Sequence, residues 1–408
     1  MSPALKQTVF INAAHSLTHY SLLILPTAVL TMASPGGAFG ADYGPILTLA
    51  TVGFVLYGLF ALPQGWLAAR VGRKALMAAF FLGTGVSLIA AGLVGGPVGL
   101  ALALGAAGLF AAIYHPIGTA LLVEAAGDKP GKAIGINGVF GNIGVALAPM
   151  VTAFLAANVG WQWAFIVPGV YGVVFGVFWL RVPAYDSSIG RVSRAFPEIP
   201  RHLVRRAVVV LLVIAAVSGL VFNAFTLLIP KLMAERLEGA DTRLIGIAAT
   251  VATLCGAVTQ LTVGRLIDRT TLKRIFLPFS LVLVPALAAL SVVQGWLILP
   301  VAGAVAAVIF GQVTVNETMT ARYISPALRT KMYSVRFFIG FLGSSLAAPM
   351  IGFLHGRTGS LTASVAVLAG FALVTLCCAL AFPDRREELD PRLWAAATRP
   401  STGAVAAE

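Results

Sequence analysis

Apolar runs long enough to cross a lipid bilayer recur along nearly the whole of this chain, and that recurrence leaves it one class of fold. A hydrocarbon core of about 30 Å takes about 20 helical residues. Twelve such stretches can be laid down, near 7–30, 44–69, 75–94, 98–122, 134–157, 161–182, 207–232, 244–268, 273–293, 296–320, 333–355 and 360–382. With no water in hydrocarbon to bond a bare peptide group, each stretch is expected to be a helix. The expected fold is an all-α membrane protein of twelve transmembrane helices. Composition agrees, since 59% of residues are hydrophobic, 11% are charged and the mean hydropathy is +0.93, far from the balance of a soluble domain. The first run is full length and lacks a small-residue cleavage pattern, so it is expected to stay as the first span.

A net charge of +13 and a pI near 10.2 could signal a nucleic-acid partner. Placement of the charges removes that reading. With both termini on the cytoplasmic side, only Lys231, Arg236, Arg243 and Arg357 fall outside, and the other 24 of 28 Lys and Arg fall inside. The positive-inside rule then fixes the orientation, and the basicity is topological. Cys255, Cys377 and Cys378 all fall in spans, so no disulfide framework or thiolate metal site is suggested, and they are expected to be small core residues. Trp161, Trp163, Trp179 and Trp296 stand at expected span ends and read as interface anchors.

The longest internal polar stretch, Arg181 to Arg206, divides the spans six and six, which invites a test for a repeat. A shift of 200 residues lays GNIGVALAPM (Gly141–Met150) on FLGSSLAAPM (Phe341–Met350), with both Ala-Pro-Met ends in register. A shift of 199 brings GWLAARVGRK (Gly65–Lys74) onto GRLIDRTTLK (Gly264–Lys273), and one of 204 brings HSLTHYSLLILP onto GLVFNAFTLLIP (Gly219–Pro230). These anchors, in chain order, imply two homologous six-helix bundles: 1–182 and 207–383, joined by a cytoplasmic linker 183–206 and followed by a tail 384–408. Parallel halves meeting at a midplane cavity are an architecture of secondary transporters.

GWLAARVGRK, between spans two and three, resembles the G-x-L-a-D-R-x-G-R-K signature of the major facilitator superfamily at Gly65, Leu67, Ala68, Arg70, Gly72, Arg73 and Lys74. The resemblance covers essentially the whole chain through Pro383 and implies that superfamily's fold, with small-solute transport by alternating access. The signature's acidic residue is Ala69 here, whereas the second copy keeps Asp268 beside Arg269. In the family this carboxylate helps latch the cytoplasmic ends of the halves, so Arg70, Arg73, Asp268 and Arg269 are expected gating residues, with half the latch lost. Tyr114-His115-Pro116, a histidine-bearing first span and a Gly-rich fifth span resemble the fosmidomycin-resistance-type drug exporters. Gly144, Ala148 and Pro149 partly fit the superfamily's antiporter motif, although Thr152 and Ala153 replace its closing glycines.

His15 and His19 are one helical turn apart and share a helix face. At 1.5 Å per residue His19 falls near mid-membrane, with His15 roughly 6 Å and His115 roughly 7 Å toward the cytoplasm. In the family's architecture spans one and four line the cavity, so all three rings could face one water-filled space. Ionisable groups inside a membrane are costly and are functional candidates by default, and histidine titrates near physiological pH. A neutral imidazole bonded to a neighbouring helix is the competing structural reading.

Carboxylates are scarce in the spans. Glu124 and Glu317 both lie near the cytoplasmic surface, and Glu317 of span ten stands at the level of Arg336 of span eleven, where they are expected to pair as a clasp or gate. A proton cycle would therefore run through histidine. Further cavity candidates are Tyr20, Tyr57, Gln64, Tyr114, Asn137 and Asn142 in the first half, and Phe222, Asn223, Gln260, Gln312, Asn316 and Phe338 in the second, with Asn223 at the repeat position of His19.

The sequence thus points to a secondary-active transporter of a small organic solute, expected to be a proton-coupled exporter. It would be a monomer, multi-pass in a bacterial inner membrane, with no cofactor. The alternative is a carrier of a divalent metal or metal chelate held by His15, His19 and His115. No phosphate-cradling nucleotide loop appears in the chain, and no nucleophile–base pair suggests an enzyme.

Overall fold

The computed structural model describes residues 2–126, 130–183, 199–267, 270–324 and 326–383. Asp268, Arg269, the tail 384–408 and most of the 183–206 linker lie outside the described residues, as do the side chains of Glu124 and Lys132. The described residues are helical, with no strand among them.

Span one is α1 (Pro3–Leu22) followed by α2 (Leu25–Met32), and span two is α3 (Tyr43–Thr48), α4 (Ala50–Ala61) and α5 (Gln64–Val71). Span three is α6 (Arg73–Leu93). Span four is α7 (Pro97–Ala111), a π-helical turn (Tyr114–Gly118) and α8 (Thr119–Ala126). Spans five and six are α9 (Pro130–Val159) and α10 (Trp161–Leu180). The second half runs α11 (Arg201–Arg236), α12 (Thr242–Ile267), α13 (Leu272–Val292), α14 (Ile298–Tyr323), α15 (Pro326–Ser345) with α16 (Ala347–Thr358), and α17 (Thr362–Ala381). Helix α11 begins inside the stretch expected as linker.

Among the described residues, eleven helical segments are long and apolar enough to cross a membrane. The twelfth expected span, the first, is a composite. Gln7, Asn12, His15, Ser16, Thr18 and His19 dilute its hydropathy, and the helix breaks at Leu23 and Ile24, where Pro26 of α2 cannot donate back along the turn. Pro230, at the matching repeat position, sits inside the unbroken α11.

Packing repeats between the halves. Helix α1 lies against α9 as α11 lies against α15, α6 against α10 as α13 against α17, and α4 against α7 as α12 against α14. Each half therefore builds its bundle from the same three neighbour pairs. Small residues set the closest approach, as is common where helices pack in membranes. At Gly144 an added Cβ would stand 2.3 Å from the Ser16 carbonyl oxygen, and the Ser16 hydroxyl donates to the Phe140 carbonyl at 2.6 Å. In the second half the Ser344 hydroxyl donates to the Gly219 carbonyl at 3.0 Å.

Two expectations are corrected. Trp179 is buried, 1% exposed, with its indole N–H donating to the Lys74 carbonyl at 2.9 Å and its ring 5.9 Å from Phe10. It ties α10 to α6 instead of anchoring at the interface, whereas Trp163 and Trp296 are exposed. Cys255 and Cys377 are exposed, and Cys378 is buried.

The α1–α9 contact makes a stability prediction. Gly144→Ala should cost about 1–3 kcal/mol, because the neighbour is backbone and cannot swing away. Gly138→Ala, with nothing within 4 Å of the new methyl, should be neutral or slightly stabilising. Thermal unfolding in detergent separates the two, and equal midpoints would contradict the packing.

Candidate functional site: a histidine cluster at the junction of the two halves

Pro116 in span four cannot donate a helical hydrogen bond, and Tyr114–Gly118 takes a π-helical turn. Such turns frequently mark functional sites. This one carries His115 toward α1, where His15 and His19 project from one face. The ring centroids of His15 and His115 are 5.5 Å apart, as are those of His19 and His115, and His15 and His19 stand at 4.9 Å. One nitrogen from each imidazole lies within 4.8 Å of the other two. All three residues are half-buried, so each keeps some reachable surface.

The hydrogen bonds assign the tautomers. His15 Nδ1 lies 2.7 Å from the Asn137 carbonyl oxygen. A carbonyl only accepts, so Nδ1 carries the hydrogen and neutral His15 presents a lone pair at Nε2. His19 Nε2 lies 3.2 Å from that atom and must be the donor. One hydrogen thus sits between two nitrogens.

Second neighbours hold this geometry. The Tyr114 ring stacks on His15 at 4.9 Å, and its hydroxyl donates to Asn137 Oδ1 at 3.0 Å. Asn137 Nδ2 donates to Asn12 Oδ1 at 2.9 Å. Gly141 leaves room for the His15 ring, since a Cβ there would stand 2.6 Å from its Cε1. Asn12 was absent from the sequence reading, although it stands three residues before His15 on the same helix face.

The cluster belongs to the first half but faces the second. His115 stacks on Phe337 of α15 at 5.7 Å and 21°, and Phe341 lies 6.1 Å away. Tyr57 of α4 packs on Phe341 at 4.5 Å; its buried hydroxyl finds no hydrogen-bond partner among the described residues. Nearby, Asn142 of α9 donates to Gln260 of α12 at 2.6 Å across the junction. On the face opposite the termini further contacts join the halves. Tyr43 packs on His355 at 5.2 Å, Lys231 lies over the Tyr43 ring at 5.6 Å, and Arg243 donates to Asn158 at 2.6 Å; deeper along α9, Thr250 donates to the Ala146 carbonyl at 2.7 Å.

Other expected site residues are placed elsewhere. Asn223, the repeat partner of His19, donates to the Ser344 carbonyl at 2.8 Å within the second half. Gln312 donates to the Ser280 hydroxyl at 3.2 Å and lines a cavity of about 20 Å³ with Ser218, Phe222, Asn316 and Thr375, space for about one water. The Tyr20 hydroxyl lies 3.4 Å from Thr152 Oγ1, joining α1 to α9. Gln64, which opens α5, donates to the Phe60 carbonyl of α4 at 2.8 Å, and Phe338 is half-buried. Arg70 lies over the Trp66 ring at 3.7 Å, and Arg73 opens α6. Glu317 and Arg336 form the expected ion pair, and the Arg336 guanidinium also lies over the Phe337 ring at 5.0 Å. The pair therefore touches the same aromatic that covers His115.

Apolar helical segments packed as two six-helix bundles define a multi-pass membrane protein. The chain belongs to the major facilitator superfamily, whose model matches residues 16–240 and 238–403, and it is a transporter of small solutes. Among solved structures it is similar to a bacterial homologue of the human lysosomal transporter Spinster, crystallised inward-facing and unoccupied. That match has a TM-score of 0.66 at 12% identity and covers 98% of this chain and 99% of the other. The nucleoside transporter NupG gives a TM-score of 0.73 at 11% identity, over 94% of this chain and 100% of that one. These likenesses show the fold. A D-galactonate transporter of Escherichia coli O6:H1 is 26% identical over 145 residues, a match that spans 33% of each chain.

The ion pair yields a prediction. In a double-mutant cycle, Glu317→Ala with Arg336→Ala should destabilise less than the sum of the singles by on the order of 1 kcal/mol, given a half-exposed Glu317. Additive losses in thermal unfolding would contradict the coupling.

Proposed function

We propose that this protein is a proton-coupled transporter of a small organic solute that works by alternating access, with His15, His19 and His115 carrying the proton. The observation that carries the reading is the position of the cluster: three imidazoles of one half touch one another, and one of them, His115, is covered by Phe337 and Phe341 of the other half. When halves rock apart, a cover of that kind is withdrawn and the rings meet water. An imidazole pair already sharing one hydrogen between His19 and His15 takes up a second proton readily once hydrated, and sheds it when the aromatic cover returns and desolvates the charge. Among the described residues of the cluster's surroundings no carboxylate competes for that role.

The solute would bind at the same junction. The unpartnered Tyr57 hydroxyl supports this, because a buried polar group costs about 1–3 kcal/mol until a ligand or water satisfies it. Imidazole N–H, phenol and amide groups set among aromatics suit an amphipathic or modestly anionic solute. The matched relatives are named for a sugar acid and for nucleosides, which favours an organic cargo over the divalent metal or chelate also expected from the histidines.

Contacts across the face opposite the termini support a state closed to the outside, given cytoplasmic termini as the basic residues place them. Glu317 and Arg336 would act as a gate on that cytoplasmic side, with Arg70 and Arg73, and with Asp268 and Arg269 from the second copy of the signature. Export from a bacterial cytoplasm through the inner membrane follows from the exporter resemblance of Tyr114-His115-Pro116 in span four.

The test is proton flux in proteoliposomes across a panel of sugar acids, nucleosides and amphipathic drugs. His115→Ala should abolish solute-dependent flux while changing thermal stability by less than about 2 kcal/mol. Wild-type flux in that variant would remove the histidines from the cycle. Gly141→Ala, which crowds the His15 ring, should slow flux without abolishing it, and an unchanged rate would show that the orientation of that ring is immaterial.

A further inference from the structure

The histidine cluster has a second chemical capacity that neither solute binding nor proton transfer uses. Imidazole nitrogens bind borderline divalent ions such as Zn²⁺ at about 2.0–2.1 Å, so two ligands at adjacent corners of a tetrahedron stand about 3.3 Å apart. His15 Nε2 and His19 Nε2 are already 3.2 Å apart. One nitrogen from each of the three imidazoles lies within 4.8 Å of the other two, and His115 projects from a π-helical turn, a form frequent at functional sites.

The neighbours also suit a metal. Ligating histidines usually donate their other ring N–H to a carbonyl or carboxylate, which fixes the tautomer and raises the basicity of the ligating nitrogen. His15 does this through Nδ1 to the Asn137 carbonyl, which leaves its Nε2 lone pair directed at the cluster. An all-imidazole donor set selects zinc, copper or nickel over magnesium and calcium, whose oxygen ligands are missing from the set.

We propose that His15, His19 and His115 form a binding site for one divalent transition-metal ion, Zn²⁺ by preference, held by three imidazole nitrogens with a fourth position open toward Phe337 and Phe341. The ion is an occupant that competes with protons and solute, not the cargo. Binding requires His19 to exchange its Nε2 proton with solvent and carry it on Nδ1 instead, so that the Nε2 lone pairs of His15 and His19 both face the ion. It places a fixed double charge beneath Phe337 and Phe341, where their close packing disfavours it, so the metal-bound carrier is arrested. The inference rests on the geometry of the three rings alone and does not need the proton-coupled reading to hold.

Purified metal-free protein in detergent would be titrated with Zn²⁺ by calorimetry and with Co²⁺ by visible absorption, in a buffer that does not bind metal. The expected result is one ion per chain, Co²⁺ bands of four-coordinate intensity, and at least about a tenfold loss of affinity for each of His15→Ala, His19→Ala and His115→Ala. His355→Ala, on the opposite face, should bind as the wild type does. His115→Gln serves where His115→Ala unfolds, since it too removes the nitrogen ligand. Absence of stoichiometric binding to folded protein, or binding that survives the triad substitutions, would overturn the site. Metal binding by a protein whose metal-free form shows no proton flux in proteoliposomes would leave the site standing and overturn the proton cycle instead.

Discussion

The hydrogen bond from His15 Nδ1 to the Asn137 carbonyl is the interaction on which the site depends. It joins span one to span five, sets the His15 tautomer and directs Nε2 at His19. A backbone acceptor cannot be rotated away as a side chain can, so the orientation of the ring is fixed by the path of α9. Gly141, one turn along, supplies the space the ring occupies. Tyr114, Asn137 and Asn12 extend the network across spans four, five and one, so these four polar side chains, His15 included, satisfy one another inside a low-dielectric region where an unmet donor is expensive.

The two halves share a scaffold and differ in chemistry. Each packs its first span on its fifth, its third on its sixth and its second on its fourth. Where the first half has His19, the second has Asn223, which closes onto the Ser344 carbonyl within its own bundle. The second half contributes aromatic cover and an ion pair: Phe337, Phe341 and Arg336 with Glu317. The titratable groups of the cluster thus stand on one side of the junction and their lid on the other. In the proposed alternating-access cycle, a rocking motion of the two bundles would change the hydration of the histidines without rearrangement inside either bundle.

Much of the fold was legible in the sequence because hydropathy and charge act over whole helices. The span limits, the repeat and the superfamily followed from runs, shifted matches and a loop signature. What remained hidden depends on rotation about a helix axis. Trp179 lies at a span end in the sequence, yet it faces Lys74 and Phe10 and is buried. Cys255 and Cys377 fall inside spans, yet they are exposed. Within the site, His15, His19 and His115 were placed at similar depths by helical rise, and the structure brings their rings into contact. Asn12 could have been found from its i, i+3 relation to His15. Phe337 and Phe341 could not, because contact across the junction depends on how two distant bundles meet. Asn223 and Gln312 show the opposite case, in which repeat position or polarity pointed to the cavity and local hydrogen bonds in the second half claim the side chain.

The central claim is that these three imidazoles are reached by water at the junction, and chemical modification tests it most directly. Diethylpyrocarbonate acylates neutral imidazoles that solvent can reach, and peptide mass spectrometry locates each adduct. In proteoliposomes the account predicts modification within the group His15, His19 and His115 alongside the exposed His202, with protection by a transported solute. Full modification of His202 while all three cluster residues stay untouched would contradict it.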